Sequence, residues 1–583
     1  MATLSLTAAT KRFRGPDGKE FPALDALTLS LPESAHLVVI AGPDGAGKST
    51  LLRVLAGLMT LNEGTVELLG EVPGAETLAS RVGFMPQRFG LYEELSVLEN
   101  LETFAELKGV PRSEARDLFT ELLTLTGLAG FEARLAGALS GGMKQKLGLC
   151  AALLSTPEVL LLDEPTVGVD PLSRQELLAI LRKRSAATGM RCVMTSSNLP
   201  EAEAADLVVL MEKGRVLCAD TPAALKAALR SQTFHIAASA ALPSRSLIHA
   251  LIDEVTAEKG PDAPFLDVCP ANNGVNVLTP EGASPESVEK TLTSLGLTGL
   301  TVTVRDPGME DVYLRATLRG DVEKPFSVPA VQTAGDAPVI EASHIRKTFG
   351  DFTAVADTSF AVSAGEIFGL LGPNGAGKTT TFRMLCGLTP ASAGEIRLIG
   401  TSLADAKAQV RARIGYVAQK FSLYGKLTVR QNLSYFGQSF GLSGSTLKAR
   451  IREAENAFEL TAYRHERAER LPLGVARDLA FAVATLHHPD ILFLDEATSG
   501  ADVASRRAFW RRIVRLSALG VTTVVTTHYM EEAHYCDRFL IQDRGEVLVS
   551  GSPESVRRSV ISPEHPNPSM EEAFIEIVSR GRS

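Results

Sequence analysis

The chain is an internal repeat, and this feature constrains its fold more than any other. GPDGAGKST at residues 42–50 returns as GPNGAGKTT at residues 372–380, and VLLLDEPTVGVD at 159–170 returns as ILFLDEATSGAD at 491–502. Corresponding motifs stay about 330 residues apart along the chain. The 583 residues therefore contain two copies of one domain, one after the other, rather than a single large core.

The first copy carries about 70 residues that the second copy lacks. Periodicity and turn signals predict a small α/β module in this insertion. Its βαββαβ order is typical of a ferredoxin-like module. The predicted elements are strand Thr233–Ala237, helix Ser246–Lys259, a hairpin that turns at Ala271–Gly274, helix Ser284–Leu295 and strand Leu300–Arg305.

The repeat and the insertion together predict five segments. A stretch with several prolines and few large apolar residues is expected to link the two copies. The predicted boundaries are 1–228 for the first repeat, 229–318 for the module and its tail, 319–338 for the linker, 339–556 for the second repeat and 557–583 for the C-terminal tail.

Each copy contains the pattern GxxxxGK[ST] between an apolar strand and a helix-like run. Glycines in this context let backbone N–H groups close around phosphate oxygens, and the helix start adds positive potential. We expect Lys48 and Lys378 to reach the β- and γ-phosphates of ATP. An accidental glycine-rich turn would not be expected twice in this context. The residues predicted to bind ATP in the two loops are Gly42, Gly45, Gly47, Lys48, Ser49, Thr50, Gly372, Asn374, Gly375, Gly377, Lys378, Thr379 and Thr380.

An Asp-Glu pair follows four apolar residues in each copy, at the end of a predicted buried strand. The aspartates, Asp163 and Asp495, are expected to bind Mg²⁺ together with the hydroxyls of Ser49 and Thr379. The glutamates, Glu164 and Glu496, are expected to orient or deprotonate the attacking water. The alternative is a pair of acidic residues that merely ends a strand.

A second candidate anion site lies in the first copy at LSGGMKQK, residues 139–146. Ser140, Gly141 and Gly142 would place one hydroxyl and free N–H groups at a helix start. With this segment, both copies of the chain resemble the ATP-binding-cassette (ABC) family, whose signature is LSGGQ. The resemblance implies an α/β fold class with two P-loop cassettes in tandem, each with a RecA-like core and a helical subdomain. It also implies ATP hydrolysis with ATP and Mg²⁺ as cofactors.

The resemblance assigns roles to further residues. In the family, a Q-loop glutamine binds Mg²⁺ and links the nucleotide to the membrane partner, and an aromatic residue stacks on adenine. A D-loop aspartate lies at the seam between two cassettes, and a switch histidine contacts the γ-phosphate. The residues that fit these roles are Gln87 and Gln419, Phe13 and Phe349, Asp170 and Asp502, and His528. Simple core packing of the two phenylalanines stays open.

The two copies differ at two of these positions. The second copy reads LPLGV at residues 471–475, where Pro472 replaces the signature serine and removes a hydroxyl and an N–H. The first copy has Ser197 where the second has His528. In the family, two cassettes pair head to tail and the signature of one closes on the nucleotide of the other. Pairing within this chain would put both defects in one site, so we expect one competent and one impaired ATPase site.

The tail motifs and the tandem layout are similar to ATP-binding subunits of ABC-2-type bacterial exporters. This resemblance implies two separately encoded membrane permeases as partners, with drugs or cations as suggested cargo and a membrane-fusion adaptor as a candidate further partner. No window approaches the ~18 apolar residues of a membrane span, and the N-terminus lacks the layout of a signal peptide. If a membrane is involved, another chain must therefore supply the span, and the resemblance implies a peripheral protein on the cytoplasmic side of the inner membrane.

Two other functions are compatible with tandem cassettes. A soluble or ribosome-associated ABC ATPase of translation would be expected to have two intact signatures and a charged helical arm. A DNA-maintenance ATPase would carry zinc modules or long coiled coils. The chain has a net charge of −9 and lone cysteines without metal-binding spacing, which disfavours nucleic acid as a partner.

Overall fold

The computed structural model describes residues 2–14, 20–87, 90–167, 169–239, 242–255, 259–318, 329–330, 337–405, 410–419, 422–563 and 565–582. Most of the predicted linker, 319–338, lies outside these residues. The chain forms two compact units, each built around one of the repeats. Unit 1 comprises Met1–Arg230, Asp306–Thr317 and Gly500–Val503, and unit 2 comprises Ser231–Arg305, Leu318–Ser499 and Ala504–Ser583.

Unit 1 contains a three-stranded antiparallel sheet and a six-stranded sheet that is parallel except for its last strand. The three-stranded sheet has the order Glu20–Pro32, Ala2–Arg14 and Glu63–Leu68. The six-stranded sheet has the order Val82–Met85, Val159–Leu162, Arg191–Ser196, Leu37–Ala41, Leu207–Glu212 and Arg215–Asp220. Two of its inner strands, Leu37–Ala41 and Val159–Leu162, are apolar along their whole length because both faces of a parallel sheet are covered.

The helices of unit 1 cover this sheet and form a helical subdomain beside it. Helix starts are fixed by caps such as Ser96, whose hydroxyl accepts the N–H of Glu99 at 3.2 Å while the Glu99 carboxylate accepts the N–H of Ser96 at 2.7 Å. The α-helices are Lys48–Leu55, Val97–Leu107, Arg112–Thr126, Gly141–Leu153, Pro171–Thr188, Pro222–Ala227 and Met309–Thr317, with short 3-10 helices at Glu76–Leu78, Ala136–Ala138 and Leu199–Ala204.

Unit 2 repeats this plan with one continuous ten-stranded sheet. In spatial order its strands are Thr401–Ser402, Ala393–Leu398, Ile340–Phe349, Phe352–Val362, Glu546–Gly551, Arg538–Asp543, Ile367–Leu371, Thr522–Thr526, Ile491–Asp495 and Ile414–Val417. Its α-helices are Lys378–Leu385, Val429–Ser439, Gly444–Ala457, Leu473–Thr485, Val503–Ala518, Pro553–Arg558 and Met570–Arg582, with 3-10 helices at Leu460–Tyr463, Ala468–Arg470 and Met530–Tyr535.

The inserted module has the predicted βαββαβ order. Its four strands form one antiparallel sheet in the order Asp267–Ala271, Gly274–Leu278, Thr233–Ala237 and Thr301–Val304. The second helix is Pro285–Ser294, and Gly260–Asp262 forms a 3-10 helix. The first helix is shorter than the predicted Ser246–Lys259: it runs from Ser244 to Leu251 and a 3-10 turn follows at Ile252–Glu254. It ends there because Val255 pairs with Phe265 in a β-bridge, which requires extended backbone.

The predicted segment 229–318 does not stay together in the structure. Helix Met309–Thr317 packs in unit 1 against Leu199–Ala204 and Pro222–Ala227. The module itself belongs to unit 2, where it shares one hydrophobic core with helix Val503–Ala518. The sequence interpretation grouped the two because they are contiguous, whereas packing separates them.

Ion pairs between the module and helix Val503–Ala518 surround this shared core. The buried carboxylate of Asp267 lies 3.3 Å from Arg507 and 3.9 Å from Arg511, and the same helix stacks Trp510 on Tyr535. A short distance away, Arg245 of the module pairs with Asp537 at 2.6 Å. In the first repeat, the positions of Arg507, Trp510 and Arg511 are occupied by Gln175, Leu178 and Ala179. Arg507 and Arg511, which pair with Asp267 of the module, are therefore particular to the second repeat.

Candidate active site

The phosphate-binding loops follow strands Leu37–Ala41 and Ile367–Leu371 and lead directly into helices Lys48–Leu55 and Lys378–Leu385. The first glycine of each loop lies against the backbone of the neighbouring strand. A Cβ atom at Gly42 would lie 2.2 Å from the carbonyl oxygen of Met211, and one at Gly372 would lie 2.1 Å from that of Gln542. Any larger residue would displace the loop, so glycine is required at both positions.

The lysine of each loop is buried at the start of the helix. Lys48 donates from Nζ to the carbonyl oxygens of Gly42 at 2.7 Å and Pro43 at 3.2 Å. Lys378 donates to the equivalent carbonyl oxygens at 2.6 and 2.8 Å. A desolvated ammonium group beside free N–H groups at a helix start creates a concave site that favours a phosphate anion.

The carboxylate of Asp163 lies next to this loop and is held by two hydroxyls. Its Oδ1 atom accepts hydrogen bonds from Ser49 at 2.8 Å and Thr195 at 3.0 Å. Its Oδ2 atom is buried and has no hydrogen-bond partner in the part of the chain that the structure describes. An unsatisfied carboxylate oxygen beside a hydroxyl supplies the oxygen ligands that Mg²⁺ prefers, so these residues fit the ion.

In the second repeat, the hydroxyl of Thr526 donates to Asp495 Oδ1 at 2.7 Å. Burial raises the pKa of the Asp495 carboxyl, and the neighbouring charge of Glu496 raises it further. A cation at this position would stabilise the ionised carboxylate that the surroundings disfavour. Asp495 and the exposed Thr379 at the loop thus also fit Mg²⁺.

The glutamates after these aspartates have left-handed backbone, with φ of 51° at Glu164 and 47° at Glu496. Such a conformation is strained for a residue with a side chain and recurs at functional sites. Their backbone N–H groups are held by the hydroxyls of Thr195 at 2.8 Å and Thr526 at 2.9 Å. The same hydroxyls contact the preceding aspartates, so one threonine in each repeat fixes both acidic residues.

The two glutamates have different neighbours. Glu164 lies 3.4 Å from Lys48 and accepts a hydrogen bond from the Ser197 hydroxyl at 3.0 Å. Glu496 accepts one from Gln419 Nε2 at 2.7 Å, and its carboxylate lies 3.5 Å from His528 Nδ1. Both glutamates are buried. The structure thus brings Gln419, Glu496 and His528 together. Both glutamines are exposed, and Gln87 follows strand Val82–Met85.

These neighbours keep Glu496 ionised. Burial alone would raise the pKa of its carboxyl, but the hydrogen bond and charge of His528, the charge of Lys378 and the hydrogen bond of Gln419 outweigh it. The pKa of Glu496 therefore lies below its ordinary value. An ionised, buried carboxylate can accept a proton or a hydrogen bond from water, which is what a general base requires.

The signature segments differ in the group that they present. Ser140 caps helix Gly141–Leu153, and its hydroxyl accepts the N–H of Met143 at 3.3 Å. A Cβ atom added at Gly141 would meet nothing within 4 Å, so the backbone there is open to a ligand. In the second repeat Pro472 occupies the cap position without a side-chain hydrogen bond, and Leu473 is 48% exposed. An apolar side chain stands where the first repeat offers a hydroxyl and N–H groups.

The remaining predicted residues lie at the periphery. Phe349 is 53% exposed at the end of a β-hairpin, with Lys347 Nζ 5.0 Å from its ring centre, so core packing does not account for this ring. Phe13 is half-buried and lies 6.2 Å from Phe21. Asp170 caps helix Pro171–Thr188 through a 3.1 Å bond from the N–H of Ser173.

The second D-loop aspartate has a different partner. Asp502 lies in the short segment that clusters with unit 1. Its Oδ1 atom accepts a hydrogen bond from the hydroxyl of Tyr313 at 3.3 Å. Tyr313 belongs to helix Met309–Thr317, and the sequence interpretation gave this tyrosine no role.

Sequence reasoning missed the threonines and glutamates that support the acidic residues. Thr195 and Thr526 each hold an Asp-Glu pair. The residue after each threonine donates a hydrogen bond to a buried carboxylate, that of Glu201 or Glu532. The repeat contained a signal for all four, because each pair occupies equivalent positions in the two copies. The sequence motifs used above assign no role to these four positions.

Comparison with known proteins finds one family and several similar chains. The family model described as "ABC transporter" matches residues 24–167 and 355–499. The "Probable multidrug ABC transporter ATP-binding protein YbhF" of Escherichia coli (strain K12) is 40% identical over 582 residues, which are 99% of this chain and 98% of that protein. These matches include both repeats.

Two shorter proteins are similar to part of the chain. The "Nod factor export ATP-binding protein I" of Paraburkholderia xenovorans (strain LB400) is 40% identical over 38% of this chain and 73% of its own length. The "Linearmycin resistance ATP-binding protein LnrL" of Bacillus subtilis (strain 168) is 37% identical over 37% of this chain and 69% of its own length. Within the part of the chain that the structure describes, no helix is long and apolar enough to cross a membrane.

The contact of His528 with Glu496 predicts a change in pH dependence. Replacing His528 with alanine removes a hydrogen bond and a charge that lower the pKa of Glu496, so that pKa should rise. The acid limb of kcat for ATP hydrolysis should then move to higher pH, because Glu496 becomes protonated sooner as the pH falls. Ser197→Ala is the matched control and should leave the limb in place. An acid limb at the same pH in His528→Ala and the unmodified protein would contradict the assignment.

Proposed function

The chain belongs to the ABC transporter family, and from this membership we propose that it is the ATP-hydrolysing motor of an exporter. ATP-binding domains of this family hydrolyse ATP, and ATP-binding subunits of ABC exporters work with membrane permeases. The proposal is that this chain binds two separately encoded permeases on the cytoplasmic side of the inner membrane. The similarity to a multidrug transporter protein over 99% of the chain supports drug-like molecules as cargo.

The observation that carries the motor assignment is the cluster around Glu496. A buried lysine that can hold phosphates, an ionised carboxylate, a glutamine and a histidine all lie at one edge of the unit 2 sheet. In the proposed reaction, Lys378 holds the β- and γ-phosphates and His528 contacts the γ-phosphate. Water attacks the γ-phosphorus, its proton passes to Glu496, and the bond to the ADP oxygen breaks. Mg²⁺ held by Thr379 and Asp495 would neutralise phosphate charge.

The two cassettes are proposed to have different activities. Ser197 in the first cassette donates to Glu164 from a short side chain and cannot bear the charge that a histidine can. Pro472 and Leu473 offer no hydroxyl to a nucleotide. If each signature serves the opposite cassette, as in the family, Lys378, Glu496 and His528 work with the intact signature at Ser140–Gly142. Lys48 and Glu164 then work with residues 471–475 and bind ATP with little turnover.

The impaired site has a proposed structural role. A nucleotide that stays bound stabilises the paired state by mass action while the other site cycles. ATP binding would draw the cassettes together, and hydrolysis at the competent site would let them part. The segments that follow the sheet at Gln87 and Gln419 would pass this movement to the permeases.

The translation alternative is less well supported. The similar protein that matches nearly the whole chain is a transporter subunit by name. The insertion is an α/β module docked on the second cassette rather than a charged helical arm. A net charge of −9 also disfavours binding to RNA through phosphate contacts.

Substitution of the two glutamates tests the inequality of the sites. Glu496→Gln keeps the shape of the side chain and removes the base, so kcat should fall about 100-fold or more. Glu164→Gln, the matched control, should lower kcat by less than about 3-fold, because little turnover passes through that site. Steady-state phosphate release measures both. Equal losses in the two variants would refute unequal sites.

Co-purification tests the motor role. The tagged protein, taken from gently solubilised native membranes, should carry two polytopic membrane proteins in a fixed ratio. The Glu496→Gln variant is a useful second bait, because slowed turnover should prolong the ATP-bound assembly. Recovery of ribosomal subunits, with the protein absent from membranes, would replace the exporter assignment with the translation alternative.

A further inference from the structure

A buried carboxylate that no motif includes joins two loops of the second cassette. The Oε2 atom of Glu532 accepts hydrogen bonds from the hydroxyls of Thr498 at 3.1 Å and Thr527 at 2.5 Å. Thr498 lies two residues after Glu496, and Thr527 immediately precedes His528. Glu532 is 5% exposed and both threonines are buried as well. One oxygen atom therefore ties the loop of the proposed base to the loop of the switch histidine.

The hydroxyl of Thr527 makes two hydrogen bonds that hold the backbone around His528. It donates to Glu532 and accepts the backbone N–H of Tyr529 at 3.0 Å. The residue before it, Thr526, is bonded to Asp495 and to the N–H of Glu496. The backbone that carries His528 is thus held at the residue before it and at the residue after it.

This arrangement holds the distance between the side chains of Glu496 and His528, on which the proposed reaction depends. Glu496 and His528 lie on different loops, and their side chains approach to 3.5 Å. If one of these buried hydroxyls is removed, water cannot easily enter to replace its hydrogen bond, since the surrounding groups are almost fully buried. A shift of about 1 Å in reacting groups can cost about 100-fold in rate. We refer to Glu532, Thr498 and Thr527, with the hydrogen bonds that join them, as the frame around Glu532. This frame is therefore positioned to affect turnover without contacting ATP.

The first cassette contains the same frame around a different switch residue. Glu201 accepts hydrogen bonds from Thr166 at 2.8 Å and Ser196 at 2.9 Å, although Ser197 follows in place of a histidine. There the second carboxylate oxygen accepts from Asn198 at 3.0 Å. The frame is shared, so its contribution to folding is present in both cassettes. Any contribution to turnover should appear only where the histidine is present.

The second cassette differs at the other carboxylate oxygen. Glu532 Oε1 is buried and has no hydrogen-bond partner among the described residues. Tyr529 stands where the first cassette has Asn198, and the guanidinium of Arg506 lies 4.5 Å from its ring centre. Among the described residues, the hydrogen bonds that the Glu532 carboxylate accepts are consequently those that join the two loops.

We propose that Glu532 is a positioning residue for ATP hydrolysis, which acts through Thr498 and Thr527 to fix His528 against Glu496. The inference rests on the proposed function, since it assumes that turnover takes place at the second cassette. It assigns no contact with ATP, Mg²⁺ or water to Glu532.

A matched pair at Thr498 tests the frame with little change in volume. Thr498→Val removes the hydroxyl and should lower kcat about 10-fold while the KM for ATP stays within about 2-fold, because the phosphate loop is untouched. Thr498→Ser keeps the hydroxyl and should retain most of the activity. Glu532→Leu should behave as Thr498→Val does. Glu532→Gln keeps an oxygen that can accept both hydroxyls and should restore most of the turnover.

Thr166→Val is the control in the first cassette and should leave kcat within about 2-fold. An unchanged kcat in Thr498→Val, with Glu496→Gln inactive, would overturn the positioning role and leave the proposed function standing. Equal losses in Thr498→Val and Thr166→Val would instead overturn the assignment of turnover to one site. The remaining outcome is a loss of kcat in Thr498→Val that parallels a fall in its Tm or a rise in its KM and that Thr498→Ser does not restore. It would show a structural role only and overturn the inference.

Discussion

In each cassette the carboxyl ends of three neighbouring parallel strands meet at one edge of a buried sheet, and the main polar groups of the site depend on this constraint. In the second cassette the strands are Ile367–Leu371, Thr522–Thr526 and Ile491–Asp495, paired in register. They deliver the phosphate loop, the switch loop and the acidic pair. Because the strands are buried on both faces, their ends cannot move independently, and short threonine side chains suffice to join the loops.

The same constraint explains how two nearly identical frames can hold different chemistry. Both cassettes keep the lysine, the aspartate, the left-handed glutamate and the supporting threonine. Two of the differences lie at loop positions that the sheet does not depend on, namely Ser197 against His528 and Ser140 against Pro472. A site can lose such residues and still fold and hold a nucleotide, which is the basis for proposing one working site and one that mainly binds.

Much of the fold was predictable because repetition and short motifs are local signals. The phosphate loops, the acidic strand ends and the βαββαβ order of the module follow from patterns within a few residues, and the family membership is confirmed. The roles given to individual site residues stay predictions. Tertiary packing decided the rest: the first module helix stops at Leu251 because of a β-bridge, and the module docks on the second cassette through Asp267. The frame around Glu532 was missed because its members are dispersed along the sequence.

The central claim is that hydrolysis takes place at the motifs of the second cassette. Trapping with vanadate after turnover of a photoreactive, labelled ATP marks the cassette that has hydrolysed it, because vanadate replaces the phosphate that leaves. The label, located by peptide mapping, should lie almost entirely on the peptide that contains residues 372–380. Equal labelling of the peptide that contains residues 42–50 would contradict the account.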